Sequence, residues 1–156
     1  MKIFTLTAEQ SLPQILQEVF PFFADPRNLE RITPPWLHFE ILTHENIVMR
    51  KGTLIDYRLR LHGIPICWRS EITAWDPPHR FVDEQRRGPY SLWIHEHAFE
   101  AKGSGTIVRD HVRYAVPGGR LVQRYLVAPD IKKIFTFRRK ILEAIFQAGN
   151  ESPQAG

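Results

Sequence analysis

The N-terminal part of the chain changes its hydrophobic period twice. Polar and apolar residues alternate from Lys2 to Thr7, with β-branched members, which predicts a strand. Apolar residues then recur at helical spacing from Ile15 to Phe23, which predicts a helix with Pro13 in its first turn. A second short helix is predicted from Asp25 to Ile32, because Asp25 can cap it and Pro34-Pro35 stops it.

The middle of the chain, from about Phe39 to Val116, has no helical period. Strand-length segments follow one another there, separated by short stretches that contain glycine or proline. Because these connections are as short as hairpin loops, we expect neighbouring strands to pair antiparallel in one meandering sheet. The predicted strands are Phe39–Thr43, Thr53–Leu61, Ile66–Trp75, Arg80–Gln85, Ser91–Ala101 and Thr106–Val116.

The helical period returns after Pro117-Gly118-Gly119 and continues to Phe146. Since proline removes a helix hydrogen bond and clashes with the preceding turn, we expect a break at Val127 to Pro129, with Pro129 opening the longer helix. One apolar helix against one face of a curved sheet is the simplest way to bury both. The predicted fold class is therefore α+β, a curved antiparallel sheet of about six to seven strands wrapped around a long C-terminal helix.

The composition is that of one soluble domain. The chain has 156 residues, of which 43% are hydrophobic, enough for one core, and we expect a single domain at 1–147 with a disordered tail at 148–156. The single cysteine, Cys67, fits a reducing compartment. The N-terminal apolar run is too short for a signal peptide and no apolar stretch is long enough to span a bilayer. These observations predict a cytoplasmic location and no integral membrane contact.

The net charge of +4 is unevenly distributed. Seven of the 21 basic residues fall between Arg120 and Lys140, against one acid, Asp130. Such a stretch is often only the solvated face of a helix. It can also make weak contact with an anionic membrane, and Lys132, Lys133, Arg139 and Lys140 lie partly off the apolar stripe. No nucleic-acid partner is expected.

Several short motifs add to the order of elements. They are Val19-Phe20 with Asp25-Pro26, Gly52-Thr53, Trp75-Asp76-Pro77-Pro78 with Arg80-Phe81, Phe99 with Gly105-Thr106, Tyr114 with Pro117, and Arg58 to Pro65 followed by Trp68, Gly88-Pro89-Tyr90 and Trp93.

With these motifs the chain resembles the START-like, helix-grip (SRPBCC) superfamily over residues 1 to 147, and within it a bacterial polyketide cyclase/dehydrase-like subgroup. The resemblance implies a cavity between the sheet and the terminal helix that binds a small hydrophobic or lipid-like molecule. It also permits a cyclase or dehydratase activity on a polyketide-like substrate, with no metal or organic cofactor.

Polar residues occur where strand alternation predicts the inward face. Phe81 and Phe99 fix the inward positions of their strands, and Val112 and Tyr114 those of the last strand. Because a buried carboxylate is costly unless paired, the inward polar residues should bond one another or form the polar end of a ligand pocket. A satisfied buried network without a ligand remains the alternative. These residues are Asp83, Gln85, His95, His97 and Asp110.

The same residues suggest a catalytic alternative. A neutral histidine, His95 or His97, can remove a proton α to a carbonyl, while Asp110 holds its tautomer. Two histidines two residues apart could also reach one metal ion, with Asp110 or Asp83 as oxygen ligand, but the pattern is weak and no metal is expected. No cofactor is expected, because phosphate-binding loops and nucleophile motifs do not occur.

Large aromatic side chains complete the predicted pocket. They could stack on a planar guest, which favours an aromatic or polycyclic molecule over a straight acyl chain, although inward aromatics are also ordinary core residues. The sequence leaves the ligand and the choice between monomer and dimer open. The aromatic residues predicted to contact the ligand are Tyr57, Trp68, Tyr90, Trp93 and Phe135.

Overall fold

The structure is a computed structural model, and it describes residues 1–44 and 46–148. The predicted tail therefore lies, after Ala148, outside the described residues. The strands are β1 Phe4–Leu12, β2 Glu40–Ile41, β3 Leu54–Leu61, β4 Ile64–Asp76, β5 Arg80–Arg87, β6 Leu92–Lys102 and β7 Gly105–Ala115. The helices are α1 Leu16–Ala24, α2 Asn28–Arg31, a 3-10 turn at Pro35–Leu37, α3 Gly119–Val122 and α4 Ala128–Ala148, with a π-helical turn at Gln123–Val127.

The strands form one antiparallel sheet in the order β1-β7-β6-β5-β4-β3-β2. From β3 to β7 each strand pairs with the next along the chain, as the hairpin-short connections predicted. The strand β1 closes the other edge by pairing with β7 from Phe4 to Leu12, so it is longer than the alternation at Lys2 to Thr7 predicted. The register sets Asp83 opposite His95 and His97 opposite Asp110.

Turn chemistry fixes the register of the β3–β4 hairpin. His62 and Gly63 both have positive φ, at 49° and 78°. Two central residues with positive φ are the mark of the tight hairpin turn whose twist matches the flanking strands. Gly63 meets this demand without strain because it has no Cβ.

The C-terminal helix differs from the prediction at Pro129. Instead of a break at Val127 to Pro129, helical backbone continues from Gly119 to Ala148 through the π-helical turn at Gln123–Val127. The wider turn offers a physical reason, because a regular α-helix would set the proline ring against a carbonyl in the preceding turn. Pro129 consequently lies in the first turn of α4 rather than at an interruption.

The long helix packs across one face of the sheet, and the core is divided along it. At one end Phe20, Phe81 and Phe99 form edge-to-face and stacked aromatic pairs, with centroids 5.3 to 6.2 Å apart. Leu142 is buried at this end and Ile131 at the other, so both ends of α4 are anchored. Between the two ends the packing leaves a cavity. Among the described residues, no helix combines the length and the apolar content that crossing a bilayer requires.

Candidate functional site

The cavity lies between the sheet and α4 and has a volume of about 210 Å³. Its wall is apolar over most of its extent, with contributions from the first helices, from the inward faces of β3 and β4, and from α4. The period-2 alternation of the strands supplies these residues, since every second side chain faces the helix. Examples of the apolar wall are Phe23, Ile32, Leu37, Ile55, Leu59, Ile72 and Ile134.

One end of the cavity is polar and is built by two histidine–aspartate pairs, which we call the His–Asp cluster. His95 Nε2 lies 2.7 Å from Asp110 Oδ1, and His97 Nε2 lies 2.7 Å from Asp83 Oδ2. Each imidazole N–H therefore donates to a carboxylate on a neighbouring strand. Both histidines are buried, at 5% and 6% exposure. Buried polar groups need such partners, so the cluster satisfies most of its own hydrogen-bonding demand.

The two imidazole rings of the cluster are stacked between the two carboxylates. Their centroids are 3.7 Å apart and their planes make an angle of 24°. The second nitrogen of each ring faces the other carboxylate at longer range, 3.6 Å from His97 Nδ1 to Asp110 and 4.0 Å from His95 Nδ1 to Asp83. Among the described residues His97 Nδ1 has no hydrogen-bond partner. The two rings and the two carboxylates therefore form one contiguous polar group.

Arg138 brings a positive charge to the cluster from α4. It is buried, and its Nη2 lies 3.5 Å from Asp110 Oδ1. The guanidinium also lies near the rings of Phe23 and Phe135, at 5.6 and 5.8 Å from their centroids. A charge-assisted contact of this kind offsets part of the cost of burying Asp110. The sheet and the helix are thus joined electrostatically at the polar end of the cavity.

These contacts shift the protonation equilibria of the cluster. Burial alone would raise the pKa of Asp110, but the charge of Arg138 and the hydrogen bond from His95 hold it below its usual range. Burial opposes ionisation of Asp83 as well, and the hydrogen bond from His97 nevertheless lowers its pKa. Burial and repulsion from His95 lower the pKa of His97 to about 4. At neutral pH both carboxylates are charged and His97 is neutral.

An aromatic wall faces the polar end. Tyr57 and Trp68 are stacked with centroids 5.7 Å apart, and Trp93 meets Trp68 edge-on at 5.6 Å. Ser70 Oγ lies 3.1 Å from both the Tyr57 hydroxyl and Trp68 Nε1, which fixes these two side chains relative to each other. Burial raises the pKa of the Tyr57 and Tyr90 hydroxyls, so both are neutral hydrogen-bonding groups at physiological pH.

The structure brings most of the predicted ligand-binding residues into the cavity wall. Gln85 and Asp110 do not lie in it. Gln85 instead donates to the Tyr90 carbonyl and accepts from the Tyr90 N–H, which holds the turn between β5 and β6. Asp110 lies behind the wall, against His95 and Arg138. The predicted residues that line the cavity are Tyr57, Trp68, Asp83, Tyr90, Trp93, His95, His97 and Phe135.

Five polar residues of the wall are absent from the residues that the sequence predicts as ligand contacts, namely Asp25, Asn28, Thr33, Ser70 and Arg138. Ser70 shares the inward face of β4, but strand alternation alone does not single it out as a site residue. Arg138 carries no sequence signal of its own, because it lies in a stretch where most basic residues face solvent. Only its neighbours Phe135 and Leu142, three before it and four after it on the same helix face, indicate that it points inward.

A metal ion would find three donors here, from Asp83, His95 and His97, whose ligand atoms lie within 4.8 Å of one another. The stacked rings argue against such a site. Lone pairs of imidazole nitrogens lie in the ring planes, so nearly parallel rings do not direct them to one point about 2.0 to 2.1 Å away. The hydrogen-bonded cluster fits the observed geometry better than a metal site does, and the expectation of no metal stays a prediction.

Solved structures share this architecture. The Zhui aromatase/cyclase from Streptomyces sp. R1128 has a TM-score of 0.76 at 12% identity, with 99% of this chain and 100% of that chain covered. The protein TTHA0849 from Thermus thermophilus has a TM-score of 0.68 at 23% identity, with 96% and 100% covered. The ginseng major latex-like protein 151 from Panax ginseng has a TM-score of 0.69 at 14% identity, with 92% and 97% covered. At these identities the likeness shows the fold alone, and it confirms the predicted helix-grip fold.

Sequence comparison goes further than the fold. No curated protein matches the chain. The model of the family described as polyketide cyclase/dehydrase and lipid transport matches residues 13–137, from just before α1 to the middle of α4. The match covers well over half of the chain and contains the four residues of the His–Asp cluster. The chain therefore belongs to the polyketide cyclase/dehydrase and lipid transport family.

Proposed function

We propose that the protein binds a small apolar molecule, with one polar group, in the cavity between the sheet and α4. The observation that carries the proposal is a cavity wall that is mostly apolar and includes the polar residues Asp83, His95 and His97 of the His–Asp cluster. Ligand sites typically combine an apolar lining with a few convergent polar groups that set the orientation of the ligand. The family description, which includes lipid transport, supports this reading.

The size of the cavity narrows the choice of ligand. An apolar cavity of about 150 Å³ accepts benzene, and this cavity measures about 210 Å³. Of the aromatic or polycyclic guests that the aromatic side chains suggested, the volume suits a molecule of one or two rings best. The stacked pair Tyr57 and Trp68 offers a flat surface for such a ring system.

The polar end selects for a group that exchanges hydrogen bonds. His97 is neutral and bonded through Nε2 to Asp83, while the Tyr57 and Tyr90 hydroxyls keep their protons. A hydroxyl or carbonyl on the guest can therefore be met by neutral partners. A buried ligand charge would have to compete with two ionised carboxylates and one guanidinium. We therefore propose an uncharged guest. The proposed location is the bacterial cytoplasm, where the exposed Cys67 would remain a thiol.

The test is to purify the protein from its native host, denature it and identify the released small molecules by mass spectrometry. The Trp93→Ala, His97→Ala double variant removes one aromatic and one polar wall residue, and we expect it to carry no compound. Trp36→Ala is the matched control, because Trp36 is exposed and lies outside the cavity wall. A compound bound equally by all three proteins, or no binding of one- and two-ring alcohols and ketones by calorimetry, would refute the proposal.

A second candidate function is catalysis of a cyclisation or dehydration, and the position of His95 favours it. His95 lies in the cavity wall and its Nε2–H is held by Asp110, which leaves Nδ1 as the basic nitrogen. The lowered pKa of His97 reduces its own ability to take a proton at neutral pH. Loss of turnover in His95→Gln with unchanged ligand affinity would support an enzyme, whereas parallel loss of both would support binding alone.

A further inference from the structure

The start of the C-terminal helix exposes an unusual set of apolar side chains. Leu121, Tyr125 and Leu126 are 72%, 65% and 56% exposed. They lie within one and a half turns of helix, at the π-helical turn and just before it. We call these three residues the apolar tip. Contiguous exposed apolar side chains mark contact surfaces, whereas single ones do not.

Basic residues surround the apolar tip. Arg120 and Arg124 alternate with its members, and Lys132 and Lys133 follow one and a half turns later on the exposed side of α4. Within the described chain, no acidic side chain lies within ion-pair distance of these four residues. The one acid of the segment, Asp130, is engaged with His62, with 2.6 Å between Asp130 Oδ2 and His62 Nε2.

Two other basic residues of the helix, Arg138 and Arg139, already have partners within the protein. Arg139 donates to the Glu9 carbonyl and approaches Glu143, and Arg138 is buried beside Asp110. Arg120 and Arg124 therefore keep an unbalanced positive charge beside the apolar tip, followed by Lys132 and Lys133. Lys140 is also exposed, farther along α4. This refines the sequence-based expectation, which included Arg139 in a basic outer face.

We propose that the apolar tip with Arg120, Arg124, Lys132 and Lys133 is a docking surface for an anionic lipid bilayer. Leucine and tyrosine side chains enter the boundary between headgroups and acyl chains, and arginine and lysine bind the lipid phosphates. The combination fits a membrane better than a second copy of this chain, because two such surfaces would bring like charges together. Nucleic acid would use the charges but not the exposed leucines.

The surface is continuous with the cover of the cavity. Gln123 donates to the Tyr114 hydroxyl at 3.1 Å, and the helix then runs directly into Ile131, Ile134 and Phe135 of the cavity wall. Docking would therefore bring this part of the cavity wall close to the bilayer. An apolar guest could then pass between the bilayer and the cavity without crossing water. This last step rests on the proposed function, while docking itself does not.

The test uses sedimentation of the full chain with vesicles of phosphatidylcholine, with and without phosphatidylglycerol. We expect binding only to the vesicles with phosphatidylglycerol and release as salt is added. Arg120→Gln, Arg124→Gln should weaken binding about 30-fold, from roughly 1 kcal/mol for each basic residue near an anionic surface. Leu121→Ala, Tyr125→Ala, Leu126→Ala should abolish it. The matched control is Ile64→Ala, Arg113→Gln, which removes exposed apolar and basic side chains elsewhere.

Two readouts keep the outcomes separate. Light scattering shows whether the chain associates with itself through the apolar tip. A dimer that is lost in the Leu121→Ala, Tyr125→Ala, Leu126→Ala variant would overturn the proposal. So would absence of binding to the anionic vesicles, or equal weakening by the control. Binding of one- and two-ring alcohols in solution should survive the triple substitution, so failure of docking and failure of the proposed function can be told apart.

Discussion

The His–Asp cluster places ionisable side chains in the interior of the protein. His95 and His97 lie stacked within 3.7 Å of each other, so two positive charges in this pair would repel strongly. Each carboxylate takes a short hydrogen bond from one ring and faces the other at longer range. The pKa of His97 therefore depends on the neighbouring ring and on both carboxylates.

The lowered pKa of His97 makes stability depend on pH. Above its ordinary pKa of 6.5 the residue is neutral in both folded and unfolded chains. As the pH falls from 6.5 to about 4, His97 becomes protonated in the unfolded chain but stays neutral in the folded one. The free energy of unfolding should therefore fall by about 3 kcal/mol over this range. Asp83 and Asp110 act at lower pH, because their contribution persists until the pH falls below the ordinary value of 3.8.

Urea unfolding across this pH range checks the prediction. His97→Gln should flatten the dependence between pH 6.5 and about 4, because it removes the group that protonates only in the unfolded chain. His111→Gln on the neighbouring strand is the control, since His111 is exposed. A His97→Gln protein that keeps the pH dependence of the wild type would show that another group is responsible.

Asp110 is expected to be the most sensitive position of the cluster. Asp110→Asn keeps the size of the side chain but leaves Arg138 buried without its carboxylate, which should cost about 3 kcal/mol of unfolding free energy. Chemical denaturation measures the loss. Asp56→Asn breaks an exposed pair with Arg69 and should change stability far less. Equal effects of the two substitutions would contradict the structural contrast between them.

Among the elements, the C-terminal helix carries two different surfaces. Its sheet-facing stripe includes Ile131 and Leu142, which are almost completely buried, whereas its first turns expose Leu121 and Tyr125. The π-helical turn at Gln123–Val127 lies where one surface passes into the other. Turns of this kind recur at functional positions in helices, which agrees with the proposed docking surface.

Truncation of leucine and isoleucine side chains should distinguish the two surfaces. Ile131→Ala and Leu142→Ala remove buried methyl groups and should each lower the unfolding free energy by about 2 to 5 kcal/mol. Leu121→Ala removes an exposed side chain and should change it by less than about 0.5 kcal/mol. Thermal or urea denaturation gives the comparison. A large loss in Leu121→Ala would mean that the apolar tip packs inside the protein rather than facing outward.

The whole molecule combines a rigid antiparallel sheet with an incompletely filled interior. Paired strands give the sheet its continuity from β1 to β2, and aromatic packing closes one end of the space beneath α4. Protein interiors are normally close-packed, so a cavity of about 210 Å³ is an exception that loses dispersion contacts. Retaining such a space is understandable if a guest occupies it.

Filling the cavity tests this view of the whole molecule. Ile134→Phe extends a ring into the space from α4, and stability should stay within about 1.5 kcal/mol of the wild type because room is available. Affinity for the molecule identified by mass spectrometry should fall at least tenfold, as measured by calorimetry. Ile64→Phe places the same ring on an exposed hairpin and serves as the control. Unchanged affinity in Ile134→Phe would place the ligand elsewhere.

Much of the site could be predicted because strands have a period of two. Once Phe99 and Val112 are inward, His95, His97 and Asp110 must share their face, and burial of all three agrees with this. The same reasoning places Asp83 and Ser70 inward. The order of the strands from β3 to β7 also followed from the sequence, because short connections with glycine or proline leave antiparallel pairing as the simple solution. The pairing of β1 with β7 did not follow from it.

Only the tertiary structure decided which inward residues meet the cavity and which meet each other. Gln85 shares a face with Asp83 but bonds to the backbone of Tyr90, and Asp110 is screened behind His95. Arg138 joins the cluster because α4 crosses the sheet next to Asp110. The position of this crossing is set by packing between segments that are distant in sequence. The sequence by itself determined most strands, their succession and their inward faces, since these depend on local period and turn chemistry, but not the continuous helix through Pro129. Pair distances and cavity volume depend on how those faces fit together, and no local pattern encodes that fit.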